Sequence, residues 1–359
     1  MTRWLGSFAL LVAAATVVLL GLELGLRAVG WDPVAVLGPG RQLILRPSDD
    51  PRLRYELVPG ASGRFWGTEV RINAHGFRGP ELAADGAGPR VLVLGDSIAF
   101  GNGVAEDDVV SSQLARLLAE RGRAAEVVNL GVGGFDTLQE AALLETRGLA
   151  LAPDAIVLVY CLNDIAVVST NLEYIEALLA TRGSWLRATA LGQFVRSRLS
   201  RLHHASWMER VNDPQAFRRS HAGRIADVDG DARLRALMDG AGAAHPSHWY
   251  RDPDKVGRLR FAFGRLAALA ESRRIPLIVA IVPWLEEGAQ GYAHQAAHDI
   301  ALHEAARVGF ESVDLLEPFR AVGLRALRRH PDDAIHPGAR GHRLIAESVA
   351  GRVAAHLSP

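Results

Sequence analysis

The 359-residue chain has one cysteine, Cys161, and one lysine, Lys255, and its 40 basic residues are balanced by 40 acidic ones. A single cysteine excludes an internal disulfide and a cysteine-based zinc cluster. With no net charge at pH 7 there is no basic field to gather phosphates, so nucleic acid is not expected as a partner. No internal repeat is visible. Gly131-x-Gly133 stops short of G-x-G-x-x-G because Asp136 stands where the last glycine belongs, which argues against a dinucleotide site. His294 and His298 have helical spacing, but Gln295 replaces the glutamate of the zinc-protease motif, so a solvated helix face is expected there. Asp227, Asp229 and Asp231 hint at a calcium loop. Ala232 and Met238 occupy its glycine and glutamate positions, so a polar turn suffices. No metal and no cofactor is expected.

What the chain does have begins at its amino end. Trp4 to Leu22 is an uncharged apolar run close to the length of a bilayer-spanning helix. Arg3 precedes it, which favours an inside amino end and an outside remainder. Residues 1–30 therefore read as a single-pass anchor in the cytoplasmic membrane, with a cleaved signal and secretion as the rival reading. Residues 31–89 form a lead-in rich in Pro, Gly and Arg, with short extended pieces such as Thr68–Ile72.

From residue 90 to 359 strand alternates with helix. Apolar runs at Val91–Leu94, Glu126–Leu130, Ala155–Tyr160, Pro276–Val282 and Glu311–Leu316 read as buried parallel strands. Helical stretches near 108–121, 137–149, 256–274, 292–308 and 338–357 accompany them. This alternation predicts an α/β fold, a parallel sheet covered on both faces. Residues 165–255 break the rhythm and read as a helical insertion. Within it Trp185, Leu191, Phe194, Val195, Leu199 and Leu202 approximate an apolar stripe. Packing on the core is the plain reading, and a lid or a lipid-facing basic surface the sharper one.

The chemistry gathers at strand ends. The first buried strand runs into Gly95-Asp96-Ser97, the place where open α/β sheets put their ligands. A serine needs a base to take its proton. Asp333 and His336, three apart before the last helix, offer an imidazole and a carboxylate to orient it. The second strand leads to Gly131-Val132-Gly133-Gly134, the third to Cys161-Leu162-Asn163-Asp164. The N–H groups of Ser97 and Gly134 with the Asn163 amide would make a three-donor oxyanion hole. Each piece also has a plain alternative as a turn or a cap. The G-x-S-x-G elbow is absent. Trp284, just past the fourth strand, either stacks on a sugar ring or fills the core.

Gly95-Asp96-Ser97, Gly134, Asn163-Asp164 and Asp333-x-x-His336 resemble the four ordered blocks of the SGNH/GDSL hydrolase superfamily, covering roughly residues 90–357. The lead-in Asn73-Ala74-His75-Gly76-Phe77-Arg78-Gly79-Pro80 resembles that of membrane-anchored bacterial members. The resemblance implies a flavodoxin-like three-layer sandwich with a five-stranded sheet of order 2-1-3-4-5. It also implies metal-free acyl-ester chemistry with Ser97 as nucleophile, His336 as base, Asp333 as its orienter, and Ser97, Gly134 and Asn163 as oxyanion donors. Cys161 departs from the family's glycine two residues before the asparagine, where a side chain is expected to crowd the oxyanion hole.

The reading is thus an extracytoplasmic serine esterase or deacetylase working through an acyl-enzyme. Its partner is an acyl-ester substrate, with O-acylated envelope glycans suggested by location. The alternatives are an O-acyltransferase using the same residues on an envelope polysaccharide, and a glycan-binding module impaired in turnover.

Overall fold

The structure, a computed structural model, describes residues 2–30, 44–83, 88–166, 189–195 except 193, 228–288 except 229, and 291–357. Helix α1 (Thr2–Ala28) opens the chain, and its stretch Gly6–Ala28 is long and apolar enough to cross a membrane, with none of it buried against the protein. Two antiparallel hairpins follow. The first pairs β1 (Leu45–Pro47) with β2 (Tyr55–Leu57), the second β3 (Ser62–Phe65) with β4 (Thr68–Arg71).

The main sheet starts at β5 (Arg90–Gly95), which runs into the short helix α2 (Ser97–Phe100). Then come α3 (Val110–Glu120), β6 (Glu126–Asn129), α4 (Thr137–Leu143) and β7 (Ala155–Cys161). After the insertion come α5 (Ala232–Gly240), α6 (Pro253–Arg273), β8 (Leu277–Val282), α7 (Gln295–Arg307), β9 (Glu311–Asp314), α8 (Leu316–Val322) and α9 (Ala339–His356). The five strands β6-β5-β7-β8-β9 form one parallel sheet, the expected 2-1-3-4-5 order. Every residue of β5, β7 and β8 is buried, because helices cover both faces and leave no side for polar residues. Helix α3 packs with α9, and α4 with α6, closing the three-layer sandwich.

Strand order reverses at β5. The chain leaves β5 for β6 on one side and returns to β7 on the other, so loops after β5 and β7 diverge and open a crevice between them. Ser97 opens the helix that follows β5, and Asn163 stands in the turn after β7.

The lead-in is not a spacer. Ile44, Tyr55, Leu57, Phe65, Val70, Ile72 and Phe77 join the same buried cluster as the strands. Arg78 is the most consequential of its side chains. It is fully enclosed and donates to the carbonyls of Phe100 (2.8 Å), Gly101 (2.6 Å) and Val104 (2.6 Å) while pairing with Glu106 (3.1 Å). These are carbonyls at and just past the carboxyl end of α2, which a helix leaves without partners. Burial pulls the guanidinium pKa down and Glu106 opposes this. Of the apolar stripe expected in the insertion, Trp185, Leu199 and Leu202 lie outside the described residues, as do Asp227 and Asp229 of the polar turn.

Candidate active site

Two glycines let the serine turn form. Gly95 has φ +148°, and a Cβ there would meet the Val159 carbonyl at 2.6 Å. A Cβ on Gly131 would fall 2.1 Å from the Phe100 nitrogen, so the loop after β6 can lie on α2 only as glycine. Asp96 caps α2, its Oδ1 accepting from the Ile98 N–H at 2.8 Å. Ser97 therefore sits at the first position of a helix, where its own N–H has no intrahelical acceptor.

The Ser97 Oγ lies 2.9 Å from His336 Nε2, and His336 Nδ1 lies 3.0 Å from both oxygens of Asp333. A carboxylate beside Nδ1 keeps the proton there and leaves Nε2 to accept. Asp333 is fixed in turn. Its Oδ1 accepts from the N–H groups of Ile335 (3.1 Å) and His336 (2.9 Å), and its Oδ2 from the Arg329 guanidinium (3.0 Å). Burial works to raise the Asp333 pKa, but the hydrogen bonds and charge of His336, with Arg329, outweigh it and hold the carboxyl well below the usual range. Ser97 is 7% exposed and the His336 side chain 12%, open enough to be reached from solvent.

Of the expected oxyanion donors, Asn163 is tied to the serine through Asp96. Asn163 Nδ2 donates to Asp96 Oδ2 at 3.3 Å, and the same oxygen lies 2.9 Å from Ser97 Oγ. The serine hydroxyl thus has one proton and two acceptors at equal distance, Asp96 and His336. The N–H groups of Ser97 and Gly134 have no partner among the described residues. Cys161 ends β7 fully buried, and its N–H donates to Asp164 Oδ2 at 2.7 Å. Burial, with Asp96 and Asp164 nearby, pushes its thiol pKa up, the state of an inert thiol.

Other residues fall elsewhere. Trp284 is only 5% exposed and packs edge-on against His245 and His294, so its ring belongs to the core. His294 and His298 do not form the solvated face expected from their spacing, since both are fully buried. Each has a carboxylate that makes burial affordable: Glu286 for His294 (2.9 Å) and Asp314 for His298 (2.6 Å). Asp231, His303 and Glu304 cluster like metal ligands, but the Arg260 guanidinium already bridges Asp231 (2.9 Å) and Glu304 (2.6 Å) and supplies the cation.

Three lead-in contacts escaped the sequence reading. Tyr55 Oη donates to the Gly133 carbonyl at 2.9 Å, Arg78 holds the end of α2, and Trp66 lies against His336 with ring centres 5.2 Å apart. The Arg329 guanidinium stacks 4.9 Å over the same indole. The only local signal was Trp66-Gly67 as a two-residue hairpin turn; the partners are too distant in sequence for spacing to show.

The GDSL-like Lipase/Acylhydrolase family matches residues 93–344. Among solved structures, the chain is similar to a lipase/acylhydrolase from Enterococcus faecalis at 14% identity, covering 76% of this chain and 98% of that one, with a TM-score of 0.42. An acetyl xylan esterase is similar at 15% identity, with 74% and 99% covered and a TM-score of 0.42. The acetylxylan esterase Axe2 from Geobacillus stearothermophilus is similar at 14% identity, with 76% and 96% covered and a TM-score of 0.39. No curated protein matches the chain. The match over residues 93–344 spans the strand–serine turn, both oxyanion loops and the Asp333–His336 pair, and the chain belongs to the GDSL-like lipase/acylhydrolase family, as an ester hydrolase of the SGNH type.

Proposed function

We propose that this hydrolase works through an acyl-Ser97 intermediate. The observation that carries the reading is the unbroken line from Ser97 Oγ through His336 to Asp333, at 2.9 and 3.0 Å. Ser97 Oγ attacks the ester carbonyl as its proton passes to His336 Nε2. The oxygen that gains charge is held by the N–H groups of Ser97 and Gly134 and by the Asn163 amide. His336 then returns the proton to the departing alkoxide, and Asp333 stabilises the imidazolium in between. Water, deprotonated by the same imidazole, releases the acid and restores Ser97. The unpartnered state of the two N–H groups supports their role, since donors already satisfied could not serve an oxyanion.

Helix α1 supports a membrane-anchored enzyme with the catalytic layer outside the cytoplasm, where esters of envelope glycans are the natural substrates. The test is turnover of p-nitrophenyl acetate by Ser97→Ala. A folded variant should lose at least about 10⁴-fold in kcat. Activity within tenfold of wild type would remove Ser97 from the reaction.

A further inference from the structure

The turn between β3 and β4 consists of Trp66 and Gly67, with φ +52° and +81°. Two residues of positive φ in a two-residue hairpin form a turn that favours Asn or Gly at the first position. A tryptophan in that conformation is strained, and strain of this kind persists only where the surroundings hold it and clusters at functional sites. Here the fold also keeps the indole at the surface. Trp66 is 36% exposed, and beyond the amino-terminal stretch that ends at Val29 only Val195 is a comparably exposed large hydrophobic residue among those described.

Its placement is fixed from both sides. Phe65 is buried and meets Phe100, the last residue of α2, edge-on at 5.8 Å, so the hairpin is tied to the element that carries Ser97. Arg329 lies over the indole and also bonds Asp333. The ring is thereby held beside the imidazole that must hand its proton to the departing alcohol. For that transfer the alcohol oxygen comes within about 3 Å of Nε2. With the two ring centres 5.2 Å apart, the carbon skeleton of the alcohol lies within reach of the indole. Beside Trp66, Arg64 donates to the Gly67 carbonyl at 3.2 Å and Arg329 lies over the indole, so two guanidinium heads stand next to the ring, while its apolar neighbour Phe65 is buried. A partly exposed indole with guanidinium heads beside it fits a sugar ring, whose C–H face stacks on indole while its hydroxyls meet the guanidinium groups.

Resting on the ester-hydrolase reading of Ser97 and His336, we propose that Trp66 is the platform of the leaving-group subsite and selects esters whose alcohol is a sugar ring. The experiment compares two acetate esters, an O-acetylated methyl pyranoside and ethyl acetate, which share the acyl group and differ in the alcohol. In Trp66→Ala the ratio of kcat/KM for the sugar ester to that for ethyl acetate should fall about tenfold, mostly through KM. Trp66→Asn, which suits the left-handed turn, should show the same fall in a protein at least as stable as wild type, separating recognition from folding. A ratio within twofold of wild type in both variants would overturn the proposal, whether because both rates are unchanged or because both fall together, as expected if the indole only braces His336. Failure of wild type to hydrolyse either ester would instead sink the hydrolase reading, and this one with it.

Discussion

Two serine–histidine–carboxylate lines stand among the described residues, alike in hydrogen-bond length but opposite in which imidazole nitrogen faces the serine. In the first, Ser97 meets Nε2 of His336 and Asp333 meets Nδ1, at the mouth of the crevice between β5 and β7. In the second, Ser247 Oγ lies 2.7 Å from Nδ1 of His294 and Glu286 lies 2.9 Å from Nε2. Ser247 and His294 are fully buried, and Trp284 and Tyr292 wall the imidazole. Hydrogen-bond distances alone would rank the two as equals. What separates them is access, and a serine at a helix start whose own N–H has no partner among the described residues. The second line satisfies polar groups in the core; near the first, the N–H groups of Ser97 and Gly134 have no partner among the described residues, as their proposed oxyanion role requires.

The comparison breaks most sharply at the carboxylates. Asp333→Asn should lower kcat about 10³–10⁴-fold with the fold intact, because an amide favours the wrong imidazole tautomer. Glu286→Gln should leave kcat within about threefold, since a change there reaches no reacting atom. Steady-state kinetics on the two purified variants decides it, and equal losses would put both lines in the mechanism. At the serines, Ser247→Ala should cost about 1–3 kcal/mol of stability by leaving His294 Nδ1 buried without a partner, with turnover retained. Urea unfolding measures the first and p-nitrophenyl acetate the second.

The smallest effect concerns a third enclosed histidine. His342 is fully buried and its Nδ1 accepts the Val110 N–H at 3.2 Å. Burial, with Arg78 and His336 near, lowers its pKa to about 3. A histidine depressed on folding contributes stability that is fully present above its unfolded value near 6.5 and is lost as pH falls toward 3. Between pH 7.5 and 5.5 this group alone should remove about 1.4 kcal/mol. His342→Asn, which can still accept from Val110, should flatten that part of the unfolding curve; an unchanged slope would show that other groups carry it.

The contrast between the two lines also explains what could be read in advance. The strands were legible because fully buried parallel strands are continuous apolar runs, and the placement of Ser97 and Asn163 was legible because each stands just past a strand end. His294 and His298 were misread as solvated, since helical spacing does not reveal that Glu286 and Asp314 wait across a loop to satisfy them. Trp284 stayed open between stacking and packing because a tryptophan past a strand end suits either, and only its contacts with His245 and His294 place it in the core. Trp66, Arg78 and Arg329 were missed for the same reason. Their roles lie in contacts between the lead-in and elements far along the chain, which no local pattern records.

The most direct measurement is to treat the purified full-length protein with a fluorophosphonate and map the adduct. A phosphonate is attacked only by a serine that is both activated and reachable. The account predicts modification at Ser97 alone, none at Ser247, and no labelling of folded Ser97→Ala. An adduct on Ser247, or undiminished labelling of Ser97→Ala, would contradict it.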